Sequence, residues 1–176
     1  MRADLRSLAL ALALLATALA VRPAFAEELP EYRLKAAFIY NFAQFTEWPA
    51  EVGDTLHLCI VGDDPFGEEI DGLQGRSVGA RTLQVRRLHD AGPLRGCEIV
   101  FVAASAIGRV HRVLDEIGHA PVLTVADTPD AARQGIAINM AVANNKVSFE
   151  VNLQAARAAH IDLSSKLLRL ATDVHQ

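Results

Sequence analysis

The apolar positions of this 176-residue chain change their spacing several times, and each spacing predicts a different element. Residues 8–20 form an unbroken apolar run of Ala and Leu with a single Thr. Leu34, Phe38, Phe42 and Phe45 then recur at intervals of four, four and three, which lines one face of a helix. Pro30 suits its first turn, and Trp48-Pro49 ends it, because the residue before a proline is driven out of the helical region. This aromatic stripe is core, or in part a surface for a partner or a second copy. After a turn at Gly53-Asp54, apolar runs at 56–61, 82–85, 98–102 and 122–125 predict strands. Between them, 68–73 and 109–117 carry helical spacing, the latter through Val110, Val113, Leu114 and Ile117.

Strands that are apolar on both faces need helices on both sides. The expected fold is therefore α/β: a three-layer, flavodoxin-like or Rossmann-like, mostly parallel sheet with right-handed crossovers. The last third changes rhythm. Segments 136–142 and 147–151 flank Ala143-Asn144-Asn145-Lys146, and Asn tolerates the left-handed backbone of a tight turn, so an antiparallel hairpin is expected. Val147, Phe149 and Val151 share one face of its second arm and Ser148 and Glu150 the other, as on a half-buried edge strand. Asn152 should cap a helix running to about His160, and a final helix is expected over 164–174.

The N-terminal run is a leader by its flanks. Arg2 and Arg6 precede it and Ala24-Phe25-Ala26 offers a cleavage site, so residues 1–26 read as a removable export signal and 27–176 as one mature domain. A retained anchor is the alternative, although 13 apolar residues fall short of the roughly 20 needed to cross a bilayer. Without the leader the chain holds 14 basic and 20 acidic side chains, net −6. That argues against a nucleic-acid binder, which needs a basic face.

Export changes how Cys59 and Cys97 are read. In an oxidising compartment an even pair usually bridges, and both lie on or beside predicted strands, so a disulfide is expected. Two buried free thiols are the alternative; a metal site is disfavoured, since neither belongs to a C-x-x-C and no His stands at ligand spacing.

Candidate chemistry is sparse. Asp63-Asp64 follows the first strand, where phosphoryl-accepting receiver domains hold magnesium, yet the 98–102 strand ends in Ala103-Ala104-Ser105 with no carboxylate to accept a phosphoryl group. Asp64-Pro65 is better explained as a turn. Gly72, Gly75 and Gly79 match no phosphate-binding fingerprint. Ser105 lacks the glycines of a nucleophile elbow and reads as a helix N-cap. The six histidines show no H-E-x-x-H and read as surface or structural residues. Asp127 ends a strand where open sheets bind ligands, but capping the next helix explains it better. Acidic positions 63–71 and the arginines at 76, 81, 86, 87 and 95 form opposed patches whose default reading is two solvated faces. No cofactor and no metal are expected.

Several segments taken together resemble the YfiR family of periplasmic regulators. They are 34–42 with Phe45 and Trp48-Pro49, then 59–67, 121–125, 147–152 and 163–168, a likeness that spans essentially the whole mature chain. The resemblance implies a non-enzymatic repressor that binds the periplasmic part of an inner-membrane diguanylate cyclase and keeps its cyclic di-GMP output low. It also implies possible release by an outer-membrane, peptidoglycan-binding lipoprotein, and a protein that is often dimeric. Cys59 and Cys97 match one family disulfide, while the second pair of fuller members is absent. Gln134-Gly135-Ile136 stands where the family tends to have consecutive glycines, and His160 where it tends to have Gly. By the same resemblance the C-terminal hairpin and last helix face a partner, which nominates Glu150, Ser164, Ser165 and Lys166. The competing reading from the residues is a periplasmic small-ligand binder using a crevice near Asp63 and Asp127.

Overall fold

A computed structural model describes residues 31–88, 93–143 and 146–176. The predicted leader, Pro30 and the Asn144-Asn145 turn lie outside these residues. The first helix, α1 (Glu31–Gln44), buries Ala36, Ile39, Phe42 and Ala43, a face slightly rotated from the all-aromatic stripe. Small alanines let its backbone approach the sheet, while Phe38 is half-buried and packs edge-on against Phe42 and Phe149. The helix stops before Trp48-Pro49 because Thr46 Oγ1 donates to the Phe42 carbonyl at 2.7 Å, taking up one of the acceptors a helix end leaves open.

The chain continues through β1 (Thr46–Glu47), β2 (Thr55–Val61), α2 (Glu68–Asp71), β3 (Ser77–Val78), β4 (Arg81–Leu88) and β5 (Ile99–Val102). A 3-10 turn, Ala104–Arg109, leads into α3 (Val110–Ile117), followed by β6 (Leu123–Ala126). Then come a second 3-10 turn (Ala132–Gln134), β7 (Ile138–Ala143), β8 (Lys146–Asn152), α4 (Leu153–Ala158), β9 (Asp162–Leu163), α5 (Ser165–Leu168) and β10 (Asp173–His175).

The fold is mixed α/β, with eight strands in the order β10-β8-β7-β6-β5-β2-β4-β3 and a separate two-stranded sheet of β1 and β9. Neighbours from β4 through β7 are parallel, and β7–β8 is the expected antiparallel hairpin, in register from Ile138↔Val151 to Ala143↔Lys146. The buried strands β5 and β6 are fully enclosed, as continuous apolar runs demand. Leu58, Ile60, Ile99 and Phe101 pack with α1 and α2, whereas Cys59, Val61, Val100 and Val102 pack with Val110 and Val113 of α3. The layering is less regular than a doubly wound sheet, because the β6–β7 connection carries only a 3-10 turn where a crossover helix would stand.

Two expectations fail in the last third. β8 is no edge strand, since β10 pairs with it in parallel from Asp173↔Glu150 to His175↔Asn152. The predicted 164–174 helix is in fact the single turn α5 followed by β10, because the open edge of β8 offers Asp173–His175 a hydrogen-bonding partner that an exposed helix would lack. Thr172 secures the junction, its Oγ1 donating to the Phe149 carbonyl at 2.9 Å. Among the described residues no helix is long and apolar enough to cross a membrane.

Candidate functional site

In open α/β sheets ligands bind where the strand order reverses, which here is the end of β2 between β4 and β5. That position is filled. Gly62, at φ 98°, lies so close to the following 3-10 turn that a Cβ on it would come within 2.6 Å of Ser105 Oγ and 3.0 Å of the Ala106 methyl. Ser105 is not an N-cap; its Oγ accepts the Asp63 amide at 2.8 Å and so fastens the two strand ends together. Asp64 makes the expected turn, accepting the Phe66 amide at 2.7 Å. The opposed charge patches close on each other: Arg87 reaches Asp64 at 2.6 Å and Asp71 at 2.7 Å. Those carboxylates hold the Arg87 guanidinium above its ordinary pKa. Arg81 donates to the carbonyls of Gly53 and Val52, and Arg76 stacks 4.0 Å from the Tyr40 ring centre.

Cys59 of β2 is bridged to Cys97, just ahead of β5, with Cα atoms 5.9 Å apart. The bridge lies in the apolar layer with Val61, Leu94 and Val100. It ties two adjacent parallel strands on the α3 side.

The open space lies elsewhere. Because β6 pairs with β7 only through Val125↔Ile138 and Ala126↔Asn139, the hairpin projects beyond it, leaving a cleft of about 520 Å³ between α1, the β6–β7 loop and the hairpin. Lys35 sits at its floor, 4% exposed, with Nζ 2.7 Å from Asp127 Oδ2 and against the Glu31 carboxylate one turn earlier. Asp127 is equally buried, so it is the counter-ion of Lys35 and not a helix cap. Burial pushes the Lys35 ammonium down, but its hydrogen bonds to Asp127 and Glu31 outweigh this and raise its pKa above 10.5. Tyr32, whose ring lies 4.5 Å from Lys35 Nζ, is also raised, first by burial and then by the charge of Asp127.

Across the cleft Glu150 projects from β8. Asn139 Nδ2 donates to its Oε1 at 3.0 Å and His175 Nε2 lies 3.1 Å from its Oε2. The Asn139 hydrogen bond, opposed by partial burial and helped by His175, holds the carboxyl below its usual range. Asn139 itself is 7% exposed, and its Oδ1 has no hydrogen-bond partner. The cleft thus holds Lys35 between two carboxylates and Glu150 against an amide and an imidazole, which suits recognition more than proton transfer: its one lysine is a locked ammonium.

The nominated partner residues do not form one cluster. Glu150 lines the cleft, while Ser165 and Lys166 lie on α5 and Ser164 just ahead of it. Ser164 caps that turn, accepting the Leu167 amide at 3.3 Å, and its own amide bonds to Phe45 O. Ser165 and Lys166 are exposed, and Leu167 anchors the turn in the core. Two residues past α5, Leu170 is 68% exposed, the one exposed large apolar side chain among the described residues. Sequence reasoning missed Lys35, Asp127 as its partner, Asn139, His175 and Leu170. Lys35 had one local signal, a lysine on the apolar face of a helix beside Ala36 and Ile39.

The sequence profile of the YfiR/HmsC-like family matches residues 32–172, from the first turn of α1 to the start of β10. The chain belongs to the YfiR/HmsC-like family. This family is regulatory and non-catalytic, linked to diguanylate cyclase signalling through a membrane partner. The crystal structure of a conserved domain protein from Vibrio cholerae O1 biovar El Tor str. N16961 is similar in fold, with a TM-score of 0.51 and 7% identity over 81% of this chain. The YfiR/HmsC-like chain spans 60% of the length of that protein. His160 has φ 52°, the left-handed conformation that glycine adopts without cost.

Proposed function

We propose that this chain is a periplasmic repressor that docks on the periplasmic part of an inner-membrane diguanylate cyclase and keeps its cyclic di-GMP output low. The observation that carries this reading is the family match over residues 32–172. Export through cleavage after Ala26 gives a mature domain of residues 27–176 in the compartment where Cys59 and Cys97 bridge. The docking surface is the C-terminal segment. Exposed Ser165 and Lys166 precede the buried anchor Leu167, and Leu170 supplies an apolar knob of the kind that becomes a hot spot once a partner covers it. Glu150 ties the two arms of the adjoining hairpin to each other through Asn139 and to the last strand through His175. An outer-membrane, peptidoglycan-binding lipoprotein competes for the repressor, and a homodimer is the form in which it acts.

Deleting the gene should raise cyclic di-GMP and biofilm formation, and a Lys166→Glu, Leu170→Ser chain that stays folded should fail to restore repression. Flat cyclic di-GMP in the deletion strain overturns the reading. The size of the cleft, about 520 Å³, favours a second reading as a small-ligand binder, since it falls in the range of about 300–1,000 Å³ typical of ligand sites. Ligand-dependent thermal stabilisation with no cyclase partner would support that alternative.

A further inference from the structure

Asp173 and His175 alternate along β10 and so share a face, and Asp173 lies opposite Glu150 of β8 in the parallel register. Three potential ligand atoms, two carboxylate oxygens and His175 Nε2, therefore fall within 4.8 Å of one another. His175 Nε2 is 3.1 Å from Glu150 Oε2 and 3.6 Å from Asp173 Oδ2. Around a tetrahedral Zn²⁺ with bonds of about 2.0–2.2 Å, neighbouring ligand atoms stand about 3.3–3.6 Å apart, so the His175–Asp173 separation already suits an ion and the His175–Glu150 one has only to open by about 0.2 Å. The third needs a rotation of Asp173, whose side chain is 63% exposed and tethered by a single hydrogen bond to the Val174 amide. Asp173 is also predisposed: its Oδ1 accepts the Val174 amide at 2.8 Å, leaving Oδ2 towards His175.

A second observation points to a missing group. Asn139, more than nine-tenths buried, donates Nδ2 to Glu150 Oε1, and its Oδ1 has no hydrogen-bond partner among the described residues. Buried amide oxygens are rarely left so, because the lost hydrogen bond costs on the order of 1–3 kcal/mol. Through its Nδ2 hydrogen bond Asn139 would orient the Glu150 carboxylate towards an ion, as outer groups do in metal sites. Arg133, a cation that also acts on Glu150, lies 3.6 Å from Asp130.

We infer that Glu150, Asp173 and His175 bind a divalent transition-metal ion of the zinc class, with water in the fourth position, and that the ion clips the three-residue strand β10 onto β8. One imidazole nitrogen with two carboxylate oxygens selects Zn²⁺ over Ca²⁺ or Mg²⁺, which prefer sets composed of oxygen alone. The inference stands apart from the repressor reading.

The test is calorimetric titration of the full mature chain with zinc chloride, alongside Asp173→Asn and His175→Ala, with a melting curve for each. The wild type should bind one equivalent and melt higher with zinc, and neither Ca²⁺ nor Mg²⁺ should reproduce the rise. Asp173→Asn, exposed and nearly isosteric, should fold normally and bind at least about tenfold more weakly, and His175→Ala more weakly still. A His111→Ala control should bind as the wild type does. No zinc uptake by the wild type, or uptake unchanged in both ligand variants, overturns the inference, as does an equal response to Ca²⁺.

Discussion

Replacing Lys35 by Met keeps the stem length and removes the charge, leaving the Asp127 carboxylate 4% exposed with its cation gone. Breaking a buried ion pair from one side costs about 3–5 kcal/mol, because the remaining charge must stay desolvated and unpaired. The lower end applies here, since the pair borders a cleft and Glu31, the other partner of Lys35, is half exposed. A loss of about 3 kcal/mol corresponds to roughly 6–12 °C in Tm for a domain of this size. The two sides of the pair should differ. Asp127→Asn leaves Lys35 still held by Glu31 and should cost less than Lys35→Met, while the double variant Lys35→Met, Asp127→Leu should recover most of the loss. Urea denaturation of all three chains, with the m-value checked for constancy, measures this order. A Lys35→Met cost below about 1 kcal/mol, or a double variant no better than the worse single one, would refute the counter-ion argument.

Other outcomes follow from the same geometry. Lys35 is raised in the folded state, so its contribution is complete below its unfolded value near 10.5 and is lost as pH climbs through the folded one. Wild-type stability should therefore fall in that alkaline window more steeply than that of Lys35→Met, and parallel profiles would contradict the assignment. Reducing the Cys59–Cys97 bridge, which closes a loop of sequence separation 38, should cost about 4 kcal/mol on the chain-entropy account; a shift in urea midpoint worth under 1 kcal/mol would sink it. Gly62→Ala should destabilise by about 2 kcal/mol through its left-handed φ and the 2.6 Å approach to Ser105, visible as a lower Tm. At the exposed His160, glycine should raise stability by about 0.5–1 kcal/mol by relieving the left-handed backbone, a gain that vanishes if φ there is negative in solution.

The parts of the fold legible in the sequence are those with a local cause. β2, β5 and β6 announce themselves as apolar runs because both their faces are covered, and the hairpin as an alternation because one face is polar. Asn152 was legible as a cap, its Oδ1 accepting the Ala155 amide at 2.9 Å. The failures have long-range causes. Asp173-Val174-His175 has no strand signal of its own and becomes a strand only because β8 presents an open edge. As part of a helix, Asp173 and His175 would point nearly opposite ways; as a strand they share a face, which is why a cluster with Glu150 was invisible beforehand. Lys35 and Asp127 stand 92 residues apart, and nothing in either neighbourhood names the other. The two-residue strands β1 and β9 are shorter than any periodicity can mark.

These causes divide the molecule into two regions that should answer mutation differently. In the parallel half, the reversal point where such sheets usually hold ligands is packed shut by Gly62, Ser105 and Ala106 and braced by the disulfide behind it, so substitutions there act through stability. The open cleft, the carboxylate–histidine cluster and the exposed Leu170 all belong to the chain from Asp127 onward or to the α1 face that meets it. The cleft exists because the hairpin outruns β6, and the cluster because the last strand docks on β8. Shortening the chain before Asp173 should therefore leave the parallel half and its bridge folded while uncovering the β8 edge and freeing Glu150 from His175. Hydrogen exchange of that truncated chain should show β5 and β6 amides protected as in the parent and β8 amides exchanging faster. Loss of protection throughout would mean that the C-terminal strand is integral to the core and that the two regions are one cooperative unit.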